Sequence, residues 1–439
     1  MEPTKRDSFA SSFGVLVALA GSAVGLGNLW RFPYLVGQNG GAAFILIYLG
    51  FVFLVGLPVL LAEFIIGRRS QASARKAFHK LAPGSWWGIT GVLGVICCIL
   101  IISFYSVVGG WSTEYLYKAL CFDFTAGDPQ ALRTMFDTFS ASVWRQLVCH
   151  TIFLALTAGV VVAGVQNGIE KFSKVMMPML FLIIIGIAVR SMTLPGSGPG
   201  ISYLFKPDWS KVTSQTFLAA LGQAFFSLSL GSCMVMTYAS YVKKDAHILA
   251  LGTQTAISDV LFAILAGCAI MPAVFAFGIS PGEGPDLVFV TLPHIFSQLP
   301  MGGVVAIFFF VALLLAALTS GISILEVIVA FCMEEFKMKR KVAVALTFLL
   351  IWVLGCLCIV SSKVFSLFEF LSAECLMLIG GLLVVLFAGW KLGRKGVFEE
   401  LTNGGDIRLS PRMFEILLFL IRFVAPVALL AIAVFQIHE

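Results

Sequence analysis

The residues best suited to chemistry in this chain are polar groups stranded in apolar sequence. Residues 18–33 read ALAGSAVGLGNLWRFP: Gly21, Gly25 and Gly27 crowd together, Asn28 carries an amide, Arg31 a full charge, and Pro33 lacks a backbone donor. Residues 223–233, QAFFSLSLGSC, gather Ser227, Ser229, Gly231 and Ser232. Asp259 sits in TAISDVLFAILAG, and Thr319 and Ser320 sit in AALTSGISI. A hard alkali cation needs oxygen ligands. This set supplies an amide, a carboxylate, hydroxyls, and the carbonyls freed near Gly21, Ala23 and Val24 where a helix unwinds. A carboxylate on a small molecule needs N–H donors, which the amides of residues 25–27 offer at the positive end of a half-helix. Tyr105, in IISFYSVVGGW, adds a hydroxyl. Singly, each has a plainer reading: Thr319 and Ser320 can bond back to their own helix, Tyr105 can fill a core, and Asp259 can be a satisfied structural acid. An acid at membrane depth is functional by default, and together these residues point to a shared ion and substrate site.

Elements able to hold them must cross a bilayer. The chain is 59% hydrophobic and 12% charged over 439 residues, too apolar for a soluble domain. Its apolar runs are long and continuous rather than short alternations, which predicts helices and not a barrel. Eleven spans are expected, at about 10–37, 41–67, 89–120, 143–163, 170–192, 214–241, 247–277, 301–332, 341–361, 364–392 and 412–436. Lys and Arg concentrate in the connections of one side, among them Arg68, Arg69, Lys171, Lys243, Lys337, Arg340, Lys391 and Arg408. That side is expected in the cytoplasm of a cell with this protein in its plasma (inner) membrane, with the N-terminus inside and the C-terminus outside.

The first and sixth spans are both interrupted and stand five apart. A pair of broken spans in corresponding positions of two halves points to an inverted-repeat transporter with its site at the midplane. The whole of residues 1–439 is then one domain: helices 1–5 over about 10–192, a repeat of helices 6–10 over about 214–392, and an extra helix over about 412–436. Among the outer segments, 121–142 is polar, 193–213 is rich in Gly and Pro, and 279–300 contains a short amphipathic helix suited to a lid. The Cys residues lie mostly in apolar runs, where they act as small hydrophobes. Cys121 and Cys149 flank a loop and form a weak disulfide candidate, and no Cys/His cluster suggests a metal centre. There is no Walker A or GxGxxG pattern, so neither ATP-driven pumping nor enzymatic turnover is expected. The net charge of +6 reads as topology rather than affinity for nucleic acid. No obligatory protein partner is evident; the lipid bilayer is the expected surrounding.

GSAVGLGNLWRFP followed by GGAAF, AEFIIGR, GQAFFSLSLG followed by TYASYV, and ALTSGISILE resemble the neurotransmitter:sodium symporter family over nearly the whole chain. Within it, the short termini resemble bacterial amino-acid transporters of the tyrosine or multi-hydrophobic amino-acid type. The resemblance implies an all-α, leucine-transporter-type fold that takes up an amino acid with Na⁺ by alternating access, using two Na⁺ sites. The first would use Ala23, Asn28, Ser227 and Asp259 with the substrate carboxylate; the second would use Gly21, Val24, Ala316, Thr319 and Ser320. The substrate would meet Ser22, Ala23, Leu26, Gly27, Ile101, Tyr105, Phe226, Ser227, Ser229, Ser232, Ser320 and Ile324, with Tyr105 and Phe226 closing over it. An outer gate would set Arg31 against Glu369 with Gln223 nearby, and an inner gate would pair Arg6 with Glu334 beside Ser240 and Tyr241. Glu63 would accept hydrogen bonds from the unwound part of the sixth span. Gly168 and Pro178 resemble the family's unwinding motif in the fifth span.

Three departures narrow the expectation. Gly25 stands where monoamine carriers have Asp, which favours a substrate bearing its own carboxylate. Asp259 stands where several relatives have Asn and is expected to supply the charge that others take from chloride. Ser232 stands where many relatives have a bulky residue, leaving room for a hydrophobic or aromatic side chain. The alternatives are a symporter for small amino acids, a non-transporting amino-acid sensor of the same fold, and a channel-like conductance.

Overall fold

The computed structural model describes residues 7–126, 128–279 and 287–436, and the described secondary structure is all helical, with no strand. In chain order the helices are α1 (Ser12–Ala23), α2 (Gly27–Gln38), α3 (Ala42–Ser70), α4 (Ala74–Leu81), α5 (Gly88–Leu120), α6 (Pro129–Ala141), α7 (Val143–Val162), α8 (Val165–Met192) and α9 (Gly198–Phe205). They continue with α10 (Ser214–Ser227), α11 (Met234–Ala239), α12 (Ile248–Ala276), α13 (Leu287–Gln298), α14 (Gly302–Glu335), α15 (Arg340–Val360), α16 (Ser362–Leu401) and α17 (Pro411–Phe435). Helices prevail because hydrocarbon offers no hydrogen-bond partner, so each backbone donor must be satisfied within its own segment.

Nine helices among the described residues are long and apolar enough to cross a bilayer, and α1 with α2 adds a tenth span bent by 53°. The expected span over 214–241 is two pieces, α10 and α11. At about 1.5 Å rise per residue neither crosses a bilayer of about 30 Å alone. The remaining expected boundaries fall within a few residues of observed ends, except that α8 starts at Val165 and α16 runs on to Leu401 past a kink at Gly393. The segments over 121–142 and 193–213 are more ordered than their composition suggests, holding α6 and α9. Asp128 starts α6: its side chain accepts the Gln130 amide, and Pro129 opens the first turn. The short helix expected in 279–300 is α13, with Leu287–Thr291 buried. Cys121 and Cys149 are free thiols.

α8, α12 and α14 pack closely around α1, α5 packs along α14, and together they supply the walls of the interior. The ends of α3 and α15 that carry Arg68, Arg69 and Arg340, with the segments bearing Lys243, Lys391 and Arg394, form the basic end of the molecule.

Candidate functional site

The bend between α1 and α2 follows from its residues. Val24 N–H still donates to the Ala20 carbonyl at 2.7 Å, but the ladder then stops. Gly25 N–H turns to Asn28 Oδ1 at 3.1 Å, and Leu26 N–H to the Tyr105 hydroxyl at 3.5 Å. Gly25 permits this approach: a Cβ there would lie 2.5 Å from Ser320 Oγ and 3.3 Å from the Tyr105 hydroxyl. The hydroxyl of Ser320, on α14, lies 3.5, 3.4 and 3.3 Å from the carbonyls of Gly21, Ser22 and Val24. Beside it, Thr319 Oγ1 donates back to Leu315 and Ala316 at 3.1 and 3.0 Å. A Cβ on Gly21 would stand 3.2 Å from the Thr319 Cβ. Gly21, Val24, Ala316, Thr319 and Ser320 therefore face one another across α1 and α14.

A second cluster joins four separate spans. Asn28 Nδ2 donates to Ser227 Oγ at 3.1 Å and to Asp259 Oδ1 at 2.8 Å. Ser227 Oγ lies 2.9 and 2.7 Å from the two carboxylate oxygens of Asp259. Tyr48 of α3 donates to Asp259 Oδ2 at 3.2 Å, and all four residues are buried. Ala23 is buried at the end of α1. Chemically this is a compact oxygen-rich pocket with one formal negative charge, the donor set a hard monovalent cation requires.

The break between α10 and α11 carries three residues in the left-handed region, Ser229 (φ 55°), Gly231 (φ 81°) and Cys233 (φ 63°). Glu63, fully buried on α3, holds the loose backbone by accepting Gly231 N–H at 2.7 Å and Met236 N–H at 3.0 Å. Ser229 Oγ donates to the Ser22 carbonyl at 3.2 Å, so the two broken spans touch. Ser232 Oγ donates to Ser229, and Ser22 Oγ to Ser323 of α14 at 3.0 Å. Gly27 faces Phe226, whose ring would lie 3.1 Å from a Cβ there. Leu26 is buried, and Ile101 and Ile324 are buried one helical turn from Tyr105 and Ser320 on the same faces.

The two ends of the interior differ. Away from the basic end, Arg31 and Glu369 line one cleft with Glu374 but form no ion pair within 4.0 Å; Arg31 instead lies 4.8 Å from the Phe226 ring centroid. Gln223 is buried, and neither of its amide atoms is hydrogen-bonded among the described residues. Tyr105 packs its ring on Phe153. At the basic end contacts are dense. Phe9 N–H donates to the Tyr241 carbonyl at 3.1 Å, and its ring lies edge-on to Tyr238 and Tyr241. Glu326, buried in α14, receives Tyr241 at 2.7 Å and pairs with Arg340. Glu170 receives Ala10 N–H, the Ser11 hydroxyl and Lys174 at 2.7, 3.0 and 2.7 Å. Glu334 accepts the Ser73 amide at 3.0 Å. Arg6, expected opposite it, lies outside the described residues. Between Gly168 and Pro178 the backbone is a π turn leading into unbroken helix.

Tyr48, Ser323, Glu374 and the Glu326–Arg340 pair are additions to the residues expected. Glu326 carried a signal, an acid inside an apolar run; Tyr48 carried none.

A sequence profile described as the sodium:neurotransmitter symporter family matches residues 6–130 and 122–439. The chain is 40% identical over 443 residues to the uncharacterised sodium-dependent transporter YhdH of Bacillus subtilis, covering 98% of each. It is 26% identical over 481 residues to the sodium- and chloride-dependent taurine transporter of Canis lupus familiaris, covering 94% of this chain and 76% of that one. The crystal structure of MhsT in complex with L-phenylalanine is similar over 98% of this chain and 99% of that one, with a TM-score of 0.90 and 40% identity.

Proposed function

This chain belongs to the sodium:neurotransmitter symporter family, and on that premise we propose that it is a Na⁺-driven symporter for a hydrophobic or aromatic L-amino acid. The observation that carries the reading is the meeting of Asn28, Ser227 and Asp259, from three spans, beside the diverted amides of Gly25 and Leu26. One Na⁺ binds among Ala23, Asn28, Ser227 and Asp259, completed by the substrate carboxylate; a second binds among Gly21, Val24, Ala316, Thr319 and Ser320. The substrate carboxylate takes the amides near Gly25 and the Tyr105 hydroxyl, and its side chain extends along Ile101, Ile324 and Ser232. The bound L-phenylalanine of MhsT supports an aromatic side chain.

Asn28 links the two cargoes. Its Nδ2 faces Asp259 and its Oδ1 holds Gly25 N–H. Binding Na⁺ beside Asp259 calls for the amide oxygen instead, and turning the amide releases Gly25 N–H for the substrate. Asp259 supplies the negative charge that a chloride-dependent carrier takes from solution, so transport proceeds without chloride. Each Na⁺ entering the cell gains about 2.3 kcal/mol per 100 mV. The basic end is cytoplasmic, the sixth of eleven spans is formed by α10 with α11, and helices 1–5 and 6–10 are inverted repeats. Arg31 and Glu369 close the outer side; Arg6, Glu334 and Tyr241 guard the inner one.

Uptake by proteoliposomes under an imposed inward Na⁺ gradient tests the reading, with labelled L-phenylalanine against unlabelled tryptophan, tyrosine, leucine and alanine. Accumulation that collapses with the gradient and is blocked by the large side chains is expected. Binding without accumulation would indicate a sensor, and inhibition by alanine alone a small-amino-acid carrier.

A further inference from the structure

Arg422 is a membrane-depth cation to which neither the ion site nor the gates assign a role. It stands eleven residues beyond Pro411 in α17 (422 − 411), about 17 Å along the helix axis. Its Nε donates to the Gly389 carbonyl at 2.7 Å, and its guanidinium lies 5.4 Å from the Trp390 ring centroid. No carboxylate lies within 4.0 Å of it among the described residues, and its two Nη groups have no protein acceptor there. Gly389 makes the room, since a Cβ there would approach Arg422 Cγ to 3.0 Å. Both helices take a π turn at this contact, Phe387–Leu392 in α16 and Leu420–Val424 in α17, a feature frequent at functional sites.

The direction of the side chain is set by the helix. Helical side chains lean towards their own N-terminus, so Arg422 reaches back towards the basic end. There Lys391 is exposed and makes no ion pair among the described residues, and the segment Gly393–Leu401 begins beyond the kink at Gly393. A Cβ on Gly393 would lie 3.9 Å from Arg422 Nη2, so the guanidinium faces the start of that segment.

Next to this cationic corner runs an apolar groove. Trp390 packs edge-on against Phe423, with ring centroids 5.6 Å apart. Phe423 and Phe419 wall a groove of about 590 Å³ that continues between α17, α3 and α10 past Leu54, Phe217, Val427 and Ala431. Phe419, Phe423 and Val427 are 56%, 47% and 66% exposed, which in this chain means exposed to hydrocarbon.

We propose that this corner and groove bind an anionic phospholipid of the leaflet at the basic end. Its phosphate sits on Arg422 and Lys391, and one acyl chain lies in the groove. Net charge decides the headgroup: a zwitterionic lipid would bring an ammonium against two cations, whereas phosphatidylglycerol brings only the anion. The groove is partly walled by α10, the helix that carries Ser227, so the lipid touches an element of the transport site.

The test counts lipids retained by the purified full-length protein in neutral detergent, by native mass spectrometry, after equilibration with phosphatidylglycerol or phosphatidylcholine. Wild type is expected to retain phosphatidylglycerol in preference. Arg422→Gln should lower that retention about fivefold, the effect of one basic residue at a membrane surface, and leave phosphatidylcholine unchanged. Ala431→Trp, which fills the groove away from the cations, should lower retention of both. Equal retention of the two lipids by wild type, or undiminished phosphatidylglycerol on Arg422→Gln, overturns the proposal. Should Arg422→Gln not fold, Lys391→Gln reads the headgroup and Ala431→Trp the groove, and unchanged retention in both overturns it equally.

Discussion

Replacing Asp259 by Asn removes the negative charge that the protein itself gives the proposed first ion site while keeping its shape. Two costs follow from the geometry, and they can be separated. The first is electrostatic: a carboxylate and Na⁺ with charge centres about 4 Å apart attract by about 4 kcal/mol at an effective dielectric of about 20. Losing that term weakens Na⁺ binding up to about a thousandfold. The second is structural. Asp259 receives Ser227 at 2.9 and 2.7 Å, Asn28 at 2.8 Å and Tyr48 at 3.2 Å. An amide keeps one acceptor oxygen and turns an NH₂ towards another donor, so one buried donor loses its partner at about 1–3 kcal/mol. The thermal midpoint without Na⁺ reads the structural cost alone. Na⁺ titration of labelled L-phenylalanine binding, in chloride and in gluconate, reads the electrostatic one. Wild type should show the same Na⁺ half-saturation in both media. Asp259→Asn should need far more Na⁺ in gluconate and recover part of the loss in chloride. Chloride dependence in wild type, or near-normal Na⁺ affinity of Asp259→Asn in gluconate, refutes the assignment.

Glu63→Gln leaves one of the Gly231 and Met236 amides facing a donor, and should cost about 1–3 kcal/mol of stability; an unchanged thermal midpoint would contradict that. Thr319→Ala should lower Na⁺ affinity about tenfold, as expected for one lost ligand to a charge, and lower uptake in parallel; reduced uptake with normal Na⁺ affinity would remove Thr319 from the site. Gly14→Ala drives a Cβ into the Glu170 carboxylate, which holds Ala10, Ser11 and Lys174. Hydrogen exchange over residues 10–15 and 171–175 should rise in this variant and be suppressed by Na⁺; protection equal to wild type would show that Glu170 does not tie α1 to α8.

What was legible in the sequence was mostly a conflict with the membrane. Gly25, Asn28 and Pro33 cannot sit in a uniform apolar helix, so the break between α1 and α2 was readable. The clustered serines of 227–232 made the second break readable for the same reason. Asp259 announced itself as an acid among apolar residues. Arg422 and Glu326 carried equally strong signals, as charges in apolar runs, Glu326 at the close of ALTSGISILE and Arg422 outside any motif. Tyr48 was not legible: in AAFILIYLGF it looks like one more apolar ring, and only the packing of α3 against α12 brings its hydroxyl to Asp259. The separation of Arg31 from Glu369 was hidden too, because spacing along a chain says nothing of which of two conformations the folded molecule holds.

The asymmetry of the two ends bears on how transport begins. At the basic end, Glu326 and Glu170 are buried acids engaged by Arg340, Tyr241, Lys174 and backbone amides. Parting a buried pair so that one charge is left alone costs about 3–5 kcal/mol. At the opposite end Arg31 rests on an aromatic ring and has not engaged Glu369. Cargo therefore meets a molecule locked at one end and unlocked at the other. Reversing a 1:99 population requires about 5.5 kcal/mol of differential binding, comparable to parting one or two such contacts. Neither cargo needs to supply this alone if both draw on Asn28. In the proposed arrangement Na⁺ takes its amide oxygen, the substrate takes the Gly25 amide so released, and each binds better in the arrangement the other prefers. A lone Na⁺ would lack the carboxylate, and a lone substrate would find Gly25 still held by Asn28, so neither by itself gathers enough to open the basic end.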